Sequence, residues 1–231
     1  MSDNQQQNQN QVNTGDDISE SQTRKFKYKP RSVYSLLFRE AEHRLYDMDD
    51  FFERAKKTRR SEQKNLEQIA AMSGENVSDG DRWGDDVPQL KEFAWLYSEF
   101  AIIGLWRCIE LYRKEAMRVI LGNDAAEQSF KHKEFKKELL RLNIDEEQII
   151  CAQPVNELRC LNNAIKHERQ VDDKLAKFSL WQNKEDDELG DLESHYNRLR
   201  PFAKQYLEDL TDRLNNAKTP SLSPAGQVSK T

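Results

Sequence analysis

Between residues 157 and 168 the chain reads ELRCLNNAIKHE, a run that gathers Arg159, Asn162, Asn163, Lys166 and His167. A guanidinium and an ammonium bind phosphate or carboxylate. An imidazole near its ordinary pKa gives or takes a proton at neutral pH, and a carboxamide can hold either the ring or an oxyanion. At about 100° per residue, Leu158, Leu161 and Ile165 fall on one face of a helix and the five polar residues on the other. Asn163 and His167 are four apart and therefore neighbours, and Arg159 and Lys166 lie near the same line within two turns. Such a face could receive an anion. It is also the face that any amphipathic surface helix shows to water.

The run Glu157, Leu158, Arg159, then Asn162, Asn163, Ala164, Ile165, Lys166 and His167 resembles the motif helix of HEPN domains (higher eukaryote and prokaryote nucleotide-binding domains). Many of these helical modules act as metal-independent ribonucleases in toxin and antiviral systems. In the catalytic families an Arg is followed, after four to six residues, by a His. His167 matches that His and Asn163 the polar residue after the Arg. Asn162 holds the place five before the His, and Arg159 has seven residues between it and His167. The resemblance implies an attack of the RNA's own 2'-hydroxyl on the adjacent phosphate, with His167 as general base or acid. Arg159 or Lys166 would bind the phosphate, Asn163 would hold the imidazole or a phosphate oxygen, and Asn162 would sit beside them on the substrate side. It implies a homodimer whose motif helices share one cleft, and neither metal nor cofactor. Glu110 and Lys114 resemble a Glu-x-x-x-Lys element of a helix that faces the motif helix. Three readings stay open: an endoribonuclease of a toxin or antiphage system, a non-catalytic module that binds a nucleotide, an RNA or a protein partner such as an antitoxin, or a purely structural helical adaptor whose polar face is simply wet.

Around these residues, 231 positions with 36% hydrophobic and 33% charged content fit one domain with tails. A net charge of −5 argues against coating nucleic acid by charge alone, which needs a broad cationic surface. Cys108, Cys151 and Cys160 form no CxxC pair, and an odd number does not suit a disulfide framework; reduced thiols in a cytoplasmic protein are expected. The first residues, MSDNQQQNQNQVNTG, lack the features of a signal peptide, and no apolar run nears 18 residues, so no membrane span is expected.

The fold expected is all-α, an up-and-down bundle of about five helices over residues 31–217, with disordered tails at 1–30 and 218–231. The first tail ends in a basic and aromatic lead-in, RKFKYKPR, which could hold a single strand or stay solvated. Apolar spacing predicts helices over 32–72, 88–121, 125–142 and 191–216, besides the motif helix that follows a turn at 152–154. The charged stretch ERAKKTRR in the first reads as a solvated helix end or a substrate-facing patch. A loop rich in Gly and Asp, holding Trp83, separates the first two. The alternation of residues 175–181 predicts a short strand or hairpin, in an insertion or lid beside the site. His132, with no second metal ligand near it, reads as an exposed histidine.

Overall fold

The computed structural model describes residues 32–73, 86–122 and 131–217. They form five α-helices: α1 (Val33–Ser73), α2 (Asp86–Leu121), α3 (His132–Arg141), α4 (Ala152–His167) and α5 (Leu192–Asn216). Among the described residues there is no strand, only an isolated antiparallel bridge between Gln170 and Glu188. The tails, the basic lead-in, the loop with Trp83 and residues 123–130 lie outside the described residues. None of the described helices is long and apolar enough to cross a membrane.

α1 and α2 run antiparallel, with Gly104 pressed on Met48 and the rings of Phe52 and Tyr97 5.5 Å apart. α5 returns along α1: Glu193 meets Lys56 (2.6 Å), and eleven residues later Lys204 meets Glu42 (2.6 Å). α4 lies antiparallel to α5, because Cys151 bonds Gln205 while Glu157 bonds Arg198. The four long helices therefore alternate in direction around a core in which Phe52, Ile102, Tyr112, Leu161, Tyr196 and Tyr206 are all buried. The apolar spacing in the sequence comes from this arrangement, since each helix turns one or more stripes inward.

Glu193 ties the bundle together. Its carboxylate meets Lys56, Arg59 (3.5 Å) and the Tyr97 hydroxyl (2.8 Å), joining α1, α2 and α5. The expected solvated run ERAKKTRR is thus split, with Lys56 and Arg59 turned inward and Lys57 and Arg60 exposed. α5 starts where the Asp191 side chain accepts from the Ser194 N–H, and it continues unbroken through the exposed Pro201.

The connection from α4 to α5 departs from the expected hairpin. It folds as two 3₁₀ turns, Leu175–Lys177 and Ser179–Trp181. Leu175 and Trp181 are buried and Phe178 is half-buried, a spacing of three that suits the 3.0 residues per turn of a 3₁₀ helix. The expected turn at 152–154 is already helical. α4 begins at Ala152, after Cys151 in the left-handed region (φ 63°), and Pro154 sits in the first turn, where a missing N–H costs little.

Candidate functional site

α4 is covered on more sides than its sequence indicates. It packs against α2, against α5 and against the 3₁₀ turn Leu175–Lys177. Val155, Glu157, Leu158, Cys160, Leu161, Asn162, Ala164 and Ile165 are all buried. What remains is a narrow strip. Asn156, Arg159 and Asn163 are half-buried along it, and Lys166 and His167 are exposed at its end.

Asn162 therefore leaves the polar face on which the helical wheel placed it. It is 1% exposed, so it cannot touch a substrate. Its Nδ2 donates to Asn163 Oδ1 at 3.3 Å, and its own Oδ1 has no partner. Arg159 donates from Nε and Nη2 to Asn156 Oδ1 (3.0 and 2.9 Å), which leaves Nη1 outside those contacts. The side chains of Lys166 and His167 make no ion pair or hydrogen bond among the described residues, so both heads are free to meet a ligand. The arrangement can neutralise a phosphate along the strip and move a proton at its end.

The end of α4 is held by a residue the spacing did not reveal. Arg169 takes a left-handed conformation (φ 57°), and its N–H reaches back to the Ala164 carbonyl (3.0 Å), closing the helix. Its guanidinium grips Glu99 of α2 with two bonds, Nε to Oε1 (2.9 Å) and Nη2 to Oε2 (3.0 Å). Trp95 Nε1 donates to the same carboxylate at 2.8 Å. Glu99, buried, is thus the acid of α2 that fixes the backbone just after His167. Glu110, expected in a supporting role with Lys114, meets Arg107 of its own helix at 3.4 Å, and Lys114 is half-buried.

Glu157, at the start of the motif run, is structural. Its buried carboxylate accepts from Trp181 Nε1 (2.7 Å) and from both terminal nitrogens of Arg198 (Nη1 at 3.1 Å). His195 stacks on the Trp181 ring, with centroids 4.2 Å apart. Burial lowers the His195 pKa, and the Arg198 charge lowers it further. These contacts dock the connection between α4 and α5 on α4, and they join residues too far apart in the chain for spacing to predict.

At the other end of the strip a polar cluster opens on a cavity. The buried Arg113 donates Nη2 to Glu146 Oε1 (2.6 Å) and to the Tyr206 hydroxyl (2.6 Å), with its guanidinium among the rings of Trp106, Phe135 and Tyr206. His132 is not the exposed residue expected. It is half-buried, with Nδ1 3.4 Å from Arg113 Nη1 and Nε2 3.7 Å from Glu146 Oε2. Burial pushes its pKa down to about 3, helped by the charges of Arg113, Arg159 and Lys136. His132, Lys136, Glu146, Glu147, Gln153 and Asn156 line a cavity of about 300 Å³ at the first turn of α4.

The thiols of Cys108, Cys151 and Cys160 are free, and burial pushes that of Cys108 up to about 11. Among the described residues no three His, Cys, Asp or Glu side chains converge as a metal site would require. No protein-family model, no curated protein and no solved structure matches the chain.

Proposed function

We propose that the chain is an HEPN-like module acting on RNA, with the strip from Asn156 to His167 as its site and metal-independent endonucleolytic cleavage as its reaction. The observation that supports this is the placing of His167 and Lys166, exposed and with no side-chain partner among the described residues, at the end of a helix otherwise packed on most sides, in line with Asn163 and Arg159. In this chemistry the 2'-oxygen forms a bond to phosphorus while the bond from phosphorus to the 5'-oxygen breaks. The products are a 2',3'-cyclic phosphate and a 5'-hydroxyl. One base must take the proton of the 2'-hydroxyl and one acid must supply the 5'-oxygen. His167 fills one role per chain, so a homodimer with the two strips face to face supplies both. Arg159 and Lys166 neutralise the phosphate as its charge grows. The setting proposed is cytoplasmic, as a toxin or antiphage effector with a protein partner that restrains it.

A second reading, a non-catalytic module that binds RNA, a nucleotide or a protein, is favoured by one observation: the position of the motif's Arg is Asn162, which is sealed in the core. One experiment separates the two. Purified protein is incubated with single-stranded RNA, with and without a chelator. Wild type should cut in both, and His167→Ala should lose about 10²- to 10⁴-fold in rate with its melting temperature unchanged, because the ring is exposed. RNA that stays whole with wild type, or is cut equally by His167→Ala, removes the enzyme reading.

A further inference from the structure

The cavity at the first turn of α4 plays no part in the proton transfer proposed for His167, yet its wall holds an unmet hydrogen-bonding demand. Glu146 is 6% exposed, and its Oε1 accepts from Arg113 Nη2 (2.6 Å) and from the Tyr206 hydroxyl (3.1 Å). Its Oε2 is also buried and accepts no hydrogen bond. His132 Nε2 stands 3.7 Å from it, beyond hydrogen-bond range. Arg113 Nη1 can only donate, so His132 Nδ1, 3.4 Å away, is the acceptor and the ring is the neutral tautomer with its proton on Nε2. The imidazole thus screens a half-satisfied carboxylate from the cavity. A buried acceptor left in this way is costly, and an entering group with donors would relieve it once the ring turns aside.

We propose that this cavity is a pocket for one guanine base of the RNA that lies along α4, an inference that rests on the RNA reading given above. Guanine carries two adjacent donors on one edge, N1–H and the N2 amino group, which can converge on the open Oε2 of Glu146 while Oε1 stays with Arg113 and Tyr206. Adenine and cytosine offer one amino group beside an acceptor, and uracil offers a single N–H. Asn156 lines the cavity, and because its Oδ1 is held by Arg159 its Nδ2 is left to donate to O6. The cavity of about 300 Å³ has room for one base. Asn156 also belongs to the strip, and His167 lies eleven residues further on the same helix, about 16 Å away at 1.5 Å per residue. At 3.4 Å per stacked nucleotide that is about five nucleotides, and fewer if the strand is extended.

The test titrates the full chain with guanosine, inosine and adenosine monophosphates by calorimetry, and then cuts oligonucleotides in which a single G is moved along an otherwise G-free strand. Guanosine monophosphate should bind, inosine monophosphate, which lacks the N2 amino group, about 10-fold more weakly, and adenosine monophosphate more weakly still. Gln153→Trp, at an exposed position on the rim, should abolish that binding, whereas His132→Ala should keep or strengthen it. In the RNA arm the cut should move with the G. Equal binding of guanosine and adenosine monophosphates, undiminished binding by Gln153→Trp, or loss of binding in His132→Ala would overturn the pocket. If guanosine monophosphate binds as expected but RNA is neither bound nor cut, the pocket stands as a nucleotide site and the RNA reading falls. If RNA is cut regardless of G and no nucleotide binds, the reverse holds.

Discussion

Replacing Asn162 tests whether the motif helix is packed as described. Asn162 is 1% exposed, with one long hydrogen bond at 3.3 Å and an Oδ1 that has no partner. Leucine has a similar length and no polar atoms. Asn162→Leu removes an unsatisfied buried acceptor, worth about 1–3 kcal/mol, and gives up a weak hydrogen bond worth about 0.5–1.5 kcal/mol. The slightly larger side chain costs about 1 kcal/mol in packing. The terms nearly cancel, to within about 1.5 kcal/mol of zero in either direction, so Tm should stay within about 3–6 °C of wild type for a domain of this size. Asn162→Arg restores the residue of the catalytic HEPN pattern, and the pattern alone would have it raise cleavage. Here it drives a guanidinium into a packed site at a cost of about 3–5 kcal/mol, which lowers Tm by roughly 6–20 °C. Thermal unfolding followed by far-UV circular dichroism at pH 7 reads both variants, and RNA cleavage is measured on the same samples. A leucine variant that melts more than about 6 °C below wild type, or an arginine variant that melts with it, would refute the packing of α4.

Acid should act through His132. Its folded-state pKa of about 3 lies below the ordinary 6.5, so the unfolded chain binds the extra proton and stability falls as pH drops through 6.5. Between pH 7 and pH 5 the loss from this group is about 2 kcal/mol, and His132→Gln should flatten the urea-unfolding profile over that window by the same amount; an unchanged profile would contradict the burial of the ring. Glu157→Ala strips the partner from Arg198 and from the Trp181 indole, so a destabilisation of about 3–5 kcal/mol is expected in denaturant titrations. A loss below about 1 kcal/mol would mean that the connection between α4 and α5 does not depend on that carboxylate.

The bundle was legible because long helices repeat their apolar residues often enough to fix the period. The order and approximate ends of α1, α2, α4 and α5 follow from Phe52 in its stripe, from the apolar circumference of α2, and from Asp191 at a helix start. The site was legible only in part. A wheel says which residues share a face but not how many neighbours cover the helix, and for that reason Asn162 was placed with the polar set. The bonds from Glu157 to Arg198 and from Arg169 to Glu99 join residues 41 and 70 positions apart, a separation that carries no local pattern. His132 reads as exposed in the sequence because the groups beside it in the fold, Arg113 and Glu146, lie 19 and 14 positions away in the chain. The 3₁₀ turns left a usable signal: Leu175, Phe178 and Trp181 recur every third residue, and that period outweighs the weaker alternation.

The connection between α4 and α5 bears on how the protein meets a protease. A segment as long as 168–191 would ordinarily be the first place to be nicked, since cleavage needs several residues drawn out in extended form. This one is closed across its base, with Leu189 N–H bonded to the Arg169 carbonyl (2.9 Å) and Val171 N–H to the Asp187 carbonyl (2.9 Å). Its interior is pinned by the buried Leu175 and Trp181. Drawing it into a protease cleft means lifting Trp181 off Glu157, so this stretch opens together with the contacts of α4 rather than ahead of them. Digestion between α4 and α5 then reports the loosening of the motif helix itself.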